Sequence, residues 1–193
     1  MSGRVNELVN FYTNTKTNFR LMFQDEAGFG RINKPKCCWC GEGIRPVVPC
    51  HRIREYTYAY GAVSPLDGEM VSLVLPYCNT ECMNIFLETL SQTYPNDYIL
   101  LVADNAGWHK SKTLVMPKNI EIFPLLPYTP ELNPIEMIWD EIREKFFKNE
   151  IFKTLKSVTD RLCNGLLYLS THADTVKSIT GWSWILSDVL KTN

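Results

Sequence analysis

No apolar run in these 193 residues approaches the roughly 18–20 that a membrane span needs. The longest clean one, Ile99 to Ala103, has the length of a strand. The opening stretch MSGRVNELVN lacks the apolar h-region of a signal peptide. An excess of one charge is missing too, since the net charge is −1, so no global field points to nucleic acid. Seven cysteines, an odd number at irregular spacing, argue against a secreted disulfide framework. Internal repeats and low-complexity segments are absent. What is present is ordinary globular composition, 45% apolar and 21% charged, in a chain long enough for one domain with a substantial core. The expectation is a soluble, cytoplasmic, non-membrane protein.

The pattern along the chain is that of an α/β fold. Residues 1–17 are polar and mixed and read as a linker or short helix. NFRLMFQD alternates, with Leu21, Phe23 and Asp25 on one face and Met22 and Gln24 on the other, and reads as a strand ending in an acid. GFGRINKP reads as turn chemistry. EYTYAYGAV and MVSLVLP flank a Pro and Asp-Gly turn, the pattern of a hairpin. Asn79 predicts a cap for a helix from about Thr80 to Tyr94, with Cys82, Phe86 and Leu90 on one side. DYILLVAD reads as a strand buried on both faces, and NIEIFPLLP as another short strand. A helix from Pro134 to about Asn149 carries the stripe Ile135, Ile138, Trp139, Ile142 and Phe146. Residues 151–193 read as one or two further helices packing on a core at 18–150. Antiparallel hairpins followed by a crossover to a buried strand predict a mixed sheet flanked by helices.

Three acids stand out by position. Asp104 follows five apolar residues, where an ionised carboxylate is costly to bury unless paired or bound to a metal. Open α/β sheets place ligand sites beyond the carboxyl ends of their strands. An Asp-Asn turn that caps a short helix is the competing reading. Asp25 is similarly ambiguous, with Glu26 beside it. Glu136, read with Asn133 as N-cap and Pro134 at N1, fits a capping box, worth roughly 0.5–2 kcal/mol at the cap. Converging, the three would form a hard-oxygen site for Mg²⁺ or Mn²⁺.

Two further clusters carry candidate chemistry. Cys37, Cys40, Cys50 and His51 could supply four zinc ligands, although alternation in a strand through Trp39 would put cysteines 37, 38 and 40 on opposite faces. Arg31, Lys34, Lys36, Arg45, Arg52 and Arg54 surround a single acid, Glu42, and suit phosphate contact or a solvated hairpin.

FQDEAGFG, the Trp39, Gly43 and RPVVP spacing, DNAGWHKS and LLPYTPELNPIEMIW occur in the order found in the mariner-related bacterial insertion-sequence transposases. The last closely resembles that family's LPPYSPxLNPIExxW. The resemblance implies a ribonuclease H-like catalytic (DDE) domain with a triad of Asp25, Asp104 and Glu136. That triad would ligate two Mg²⁺ or Mn²⁺ ions for cleavage of DNA at transposon ends and strand transfer by a 3′-hydroxyl into target DNA. His109 falls in the family's DNxxxH pattern and, with Lys110 and Lys112, becomes a candidate DNA contact. Residues 105–135, 31 in number, separate Asp104 from Glu136, slightly fewer than is usual in the family. A separate helix-turn-helix half for recognition, a homodimer on DNA and association with the bacterial nucleoid are also implied. The alternatives are a non-catalytic DNA- or protein-binding module, zinc-stabilised or not, and an inactive relic of such an enzyme.

Overall fold

A computed structural model describes residues 18–33, 35–104, 113–126 and 129–190, with side chains to residue 186. Its centre is one sheet of five strands, β1 (Phe19–Ile32), β2 (Arg52–Val63), β3 (Met70–Leu75), β4 (Tyr98–Ala103) and β5 (Ile120–Pro124), in the order β3-β2-β1-β4-β5. β1, β2 and β3 are antiparallel neighbours, whereas β1, β4 and β5 run parallel. The chain builds outward from β1 on one side and then returns to build on the other. A switch in strand order therefore falls between β1 and β4, where open α/β sheets form crevices.

Period-2 alternation assigns the two faces. Leu21, Phe23, Ala27, Phe29, Leu100 and Val102 look toward α2 (Ile135–Phe146) and α3 (Leu155–Ser170). Met22, Tyr60, Ala62, Ile99 and Leu101 look toward α1 (Thr80–Thr93). β4 is buried from Ile99 to Ala103, as its unbroken apolar run requires. The Asn79 side chain accepts from Cys82 N at 2.9 Å and caps α1. Gly68, at φ +77°, makes the turn between β2 and β3. α4 (Ala173–Thr180) and α5 (Ser183–Leu190) complete the second layer, and Trp184 sets its ring edge-on to Phe23.

Four sequence expectations change. β1 does not end at Asp25 but continues to Ile32, because GFGR pairs with Thr57 and the tyrosines of β2 instead of turning. Residues 35–51 form no strand, and Trp39 stands fully exposed in an extended connection. The capping box at α2 does not form: no side chain caps that helix, and the Asn133 amide is used elsewhere. The tail makes three helices where one or two were expected. Residues 1–17, Lys34, His109, Lys110 and Lys112 lie outside the described residues.

Candidate active site

Asp25 sits at mid-strand in β1, opposite Gly61 of β2. The parallel register pairs Phe23 with Val102. Continued by two residues on each strand, it sets Asp25 level with Asp104, on the face that looks toward α2. Alternation also separates the adjacent acids. Glu26 looks the other way, where Gln24 Nε2 donates to its carboxylate at 3.1 Å.

Helix α2 brings the third acid. Its buried stripe, Ile135, Ile138, Trp139 and Ile142, fixes it against the sheet, each such side chain contributing about 1.5–3 kcal/mol. Two polar contacts set where it lands. Asn133 Nδ2 donates to the backbone oxygen of Gln24 at 2.9 Å, tying the helix entry to the residue before Asp25. Trp139 Nε1 donates to Asp25 Oδ2 at 2.8 Å, one turn beyond Glu136. Glu136 is thus left free of a capping role, in the first turn and half-buried.

Gly61 permits this approach. A Cβ there would lie 2.7 Å from Trp139 Cη2 and 3.0 Å from Ile135 Cδ1, closer than packing allows. Gly61→Ala is expected to lose about 1–3 kcal/mol by overpacking. Urea unfolding checks this, and an unchanged midpoint would show that α2 can move aside without cost.

The electrostatics bind the acids together. Burial pushes the Asp25 carboxyl up to about 7, and the charge of Glu136 adds to the rise, while the Trp139 bond and a backbone hydrogen bond partly oppose it. Burial also raises Glu136; Arg143 pulls it back, and Asp140 and Asp104 push it up again. Cys78 lies in the same field: burial lifts its thiol to about 11, with contributions from Glu26, Asp25 and Asp104. Such a set of mutually repelling, partly desolvated carboxylates favours a hard cation. Among the described residues no three His, Cys, Asp or Glu side chains form a ready cage.

The other candidates are dispersed. Cys37, Cys38, Cys40 and Cys50 are exposed, and with His51 they form no metal-holding group among the described residues. Cys40 donates to the Ile44 carbonyl and Cys50 to that of Asn33. Arg31 pairs with Glu55 at 2.8 Å and donates to the Phe152 carbonyl, while Lys36 pairs with Glu144 at 2.7 Å. Arg45, Arg52 and Arg54 are exposed and have no ion pair among the described residues. Trp139, Gly61 and the use made of Asn133 escaped the sequence reading. Trp139 was legible only as part of an apolar stripe, and nothing in its spacing signals a hydrogen bond to β1.

A mixed five-stranded sheet flanked by helices, with acids where its two central strands part, defines an α/β domain of the ribonuclease H-like kind. The chain belongs to the DDE superfamily endonucleases, whose family pattern it matches over residues 20–159. It is 38% identical over 109 residues to the uncharacterized protein y4pE/y4sA of Sinorhizobium fredii (strain NBRC 101917 / NGR234), an alignment covering 56% of this chain and 81% of that one. Its fold is that of the Mos1 transposase. The Mos1 mariner paired end complex with Mn superposes with a TM-score of 0.62 at 15% identity, over 99% of this chain and 61% of that one. The Mos1 complex with the left transposon end gives 0.57 at 18% identity, over 93% and 61%. The chain therefore spans about 61% of the length of the Mos1 chains it matches.

Proposed function

We propose that the chain is the catalytic part of a DNA transposase, in which Asp25, Asp104 and Glu136 hold divalent cations and direct phosphodiester cleavage at transposon ends. The observation that carries this reading is the carboxylate set at the β1–β4 switch point, with Asp25 raised to about 7 beside Glu136. Two Mg²⁺ or Mn²⁺ ions, when bound, would supply the positive charge that favours the attacking and leaving oxygens of an in-line displacement. The protein's share is positional. In this reading β1 and β4 present two of the carboxylates and α2 the third, with the Trp139 N–H donating to one oxygen of Asp25. The same site, with a DNA 3′-hydroxyl in place of water, would perform strand transfer into a target. Membership of the DDE family supports the reading, as do solved Mos1 complexes with Mn and with Mg that share the fold. A separate helix-turn-helix half and a second copy of the chain complete the proposal.

The test is nicking of supercoiled plasmid by the purified chain, alone and with duplex carrying its own terminal sequences. Nicking should appear with Mg²⁺ or Mn²⁺ and vanish with chelator. Nicking that survives complete chelation, or none with either ion and both substrates, overturns the assignment.

A further inference from the structure

The outer half of β2 carries a stripe that the cleavage site does not use. Its sequence RIREYTYAY alternates strictly between two kinds of residue. Glu55 reaches Arg31 on the α2 face, so Tyr56 falls on the opposite one and Tyr58 continues its row toward buried Tyr60, while Arg54 lies in the register shift between Tyr56 and Arg52. Arg52 pairs with Ile32 beyond that shift. Across from it β1 offers no side chains at two positions, since Gly28 faces Tyr58 and Gly30 faces Tyr56.

Gly30 lets the Tyr56 ring lie against the strand, whereas Tyr58 meets the Gly28 position at an ordinary contact distance. A Cβ at Gly30 would fall 2.4 Å from Tyr56 Cδ1, and one at Gly28 would fall 3.6 Å from Tyr58 Cε1. Each ring covers bare backbone with one side, and Tyr56 remains 41% exposed. The charge here is also distinctive. Arg20, Arg31, Arg143 and Arg161 each meet a carboxylate, whereas Arg52 and Arg54, like Arg45, are exposed and meet none among the described residues. An exposed Tyr56 ring, a half-buried Tyr58 packed on the α1-side core, and unneutralised guanidinium groups further along the strand match the chemistry that takes up unpaired bases and their phosphates.

We propose that Tyr56, Tyr58, Arg52 and Arg54 form a binding surface for single-stranded DNA, the tyrosines stacking on bases and the arginines contacting phosphates. It rests on the reading of the chain as a DNA-cleaving enzyme, whose reaction frees strand ends, and the surface lies on the sheet face opposite the candidate acids. Simple cover for the glycines is the competing role for the tyrosines, and leucine separates the two because it covers backbone without offering a ring face.

The experiment is fluorescence anisotropy of the full chain with a labelled oligonucleotide of about 12 nucleotides, within the span of single-strand sites, and with the same strand in duplex. Tyr56→Leu and Tyr58→Leu should each weaken single-strand binding roughly 5- to 100-fold, with Tyr56→Phe close to wild type. Arg54→Ala should flatten the salt dependence by about 0.7 in log–log slope. Melting curves identify any variant that has lost its fold, and Tyr56→Phe with Arg54→Ala still decide the matter if a leucine variant has. Leucine variants that bind single strands as wild type does, an equal loss for duplex, or no single-strand binding by the wild type would each overturn the proposal. Plasmid nicking measured in parallel keeps the two readings apart. Nicking with unchanged leucine variants removes the stripe alone, whereas selective loss of single-strand binding without any nicking removes the catalytic reading alone.

Discussion

Asp25→Asn is expected to make the protein more stable and to abolish the nicking proposed for it. The two effects have one cause. In the unfolded chain Asp25 releases its proton near the ordinary value for aspartate, whereas in the fold burial and the neighbouring Glu136 hold the proton until about pH 7. Between those values the folded state binds more protons than the unfolded one. Stability from this group is therefore complete below about pH 4, falls as pH rises through about 7, and stays low above it. The loss amounts to about 2–4 kcal/mol in the absence of a cation. Asparagine removes it, because its amide oxygen can still accept from Trp139 while no charge is left beside Glu136. Thermal melts from pH 5 to pH 8 should show a declining wild type and a flatter variant. Mg²⁺ should raise the wild-type midpoint more at pH 8 than at pH 5, and barely raise that of the variant. Nicking should fall by about 10³-fold or more, the size expected when charge stabilisation at a transferring phosphate is lost. A variant less stable than wild type at pH 8, or one that nicks at full rate, would remove Asp25 from the site.

The sequence made the framework legible where periodicity is strong. The faces of β1 up to Gln24, the continuous burial of β4, the Asn79 cap and the stripe of α2 all follow from spacing and local chemistry. It misled where a local signal was overruled by pairing. Glycine, phenylalanine and glycine after Asp25 look like a turn, yet β2 supplies tyrosines that cover the glycines, and the strand runs on. Asn133, Pro134 and Glu136 look like a capping box, yet a nearby carbonyl at Gln24 claims the asparagine. That difference matters for the candidate site. A Glu136 engaged in a cap would point along its own helix, whereas here it remains available beside Asp25 and Asp104. Glu26 shows the converse: two adjacent acids were indistinguishable by type, and only the strand's alternation separates them.

Trp139 tests whether the hydrogen bond to Asp25 is part of the machinery or an accident of packing. Its side chain is wholly buried, edge-on to Phe29 at 6.4 Å between centroids, and its N–H lies 2.8 Å from Asp25 Oδ2. Trp139→Ala is expected to cost about 3–5 kcal/mol through the cavity alone, a large share of the roughly 5–15 kcal/mol that holds a domain together. It says nothing about the bond. Trp139→Phe does when compared across pH, since it removes the donor together with the outer ring atoms beside Gly61, and the cavity cost of the lost atoms is the same at every pH. At pH 5, where Asp25 is protonated, Trp139→Phe should melt below wild type by the cavity cost alone. At pH 8 it should be weaker by about 1.5–3 kcal/mol more, the worth of a hydrogen bond to a charged group. Loss of a contact that lowers the Asp25 pKa moves its titration further upward. If the indole orients the carboxylate for a cation, the Mg²⁺ concentration giving half-maximal nicking should rise severalfold, more than the rate at saturating Mg²⁺ falls. Calorimetric titration with Mn²⁺ reads the same change without turnover. Equal metal affinity in Trp139→Phe and wild type would reduce Trp139 to a packing residue, and the site would then rest on the strand register and the entry of α2 alone.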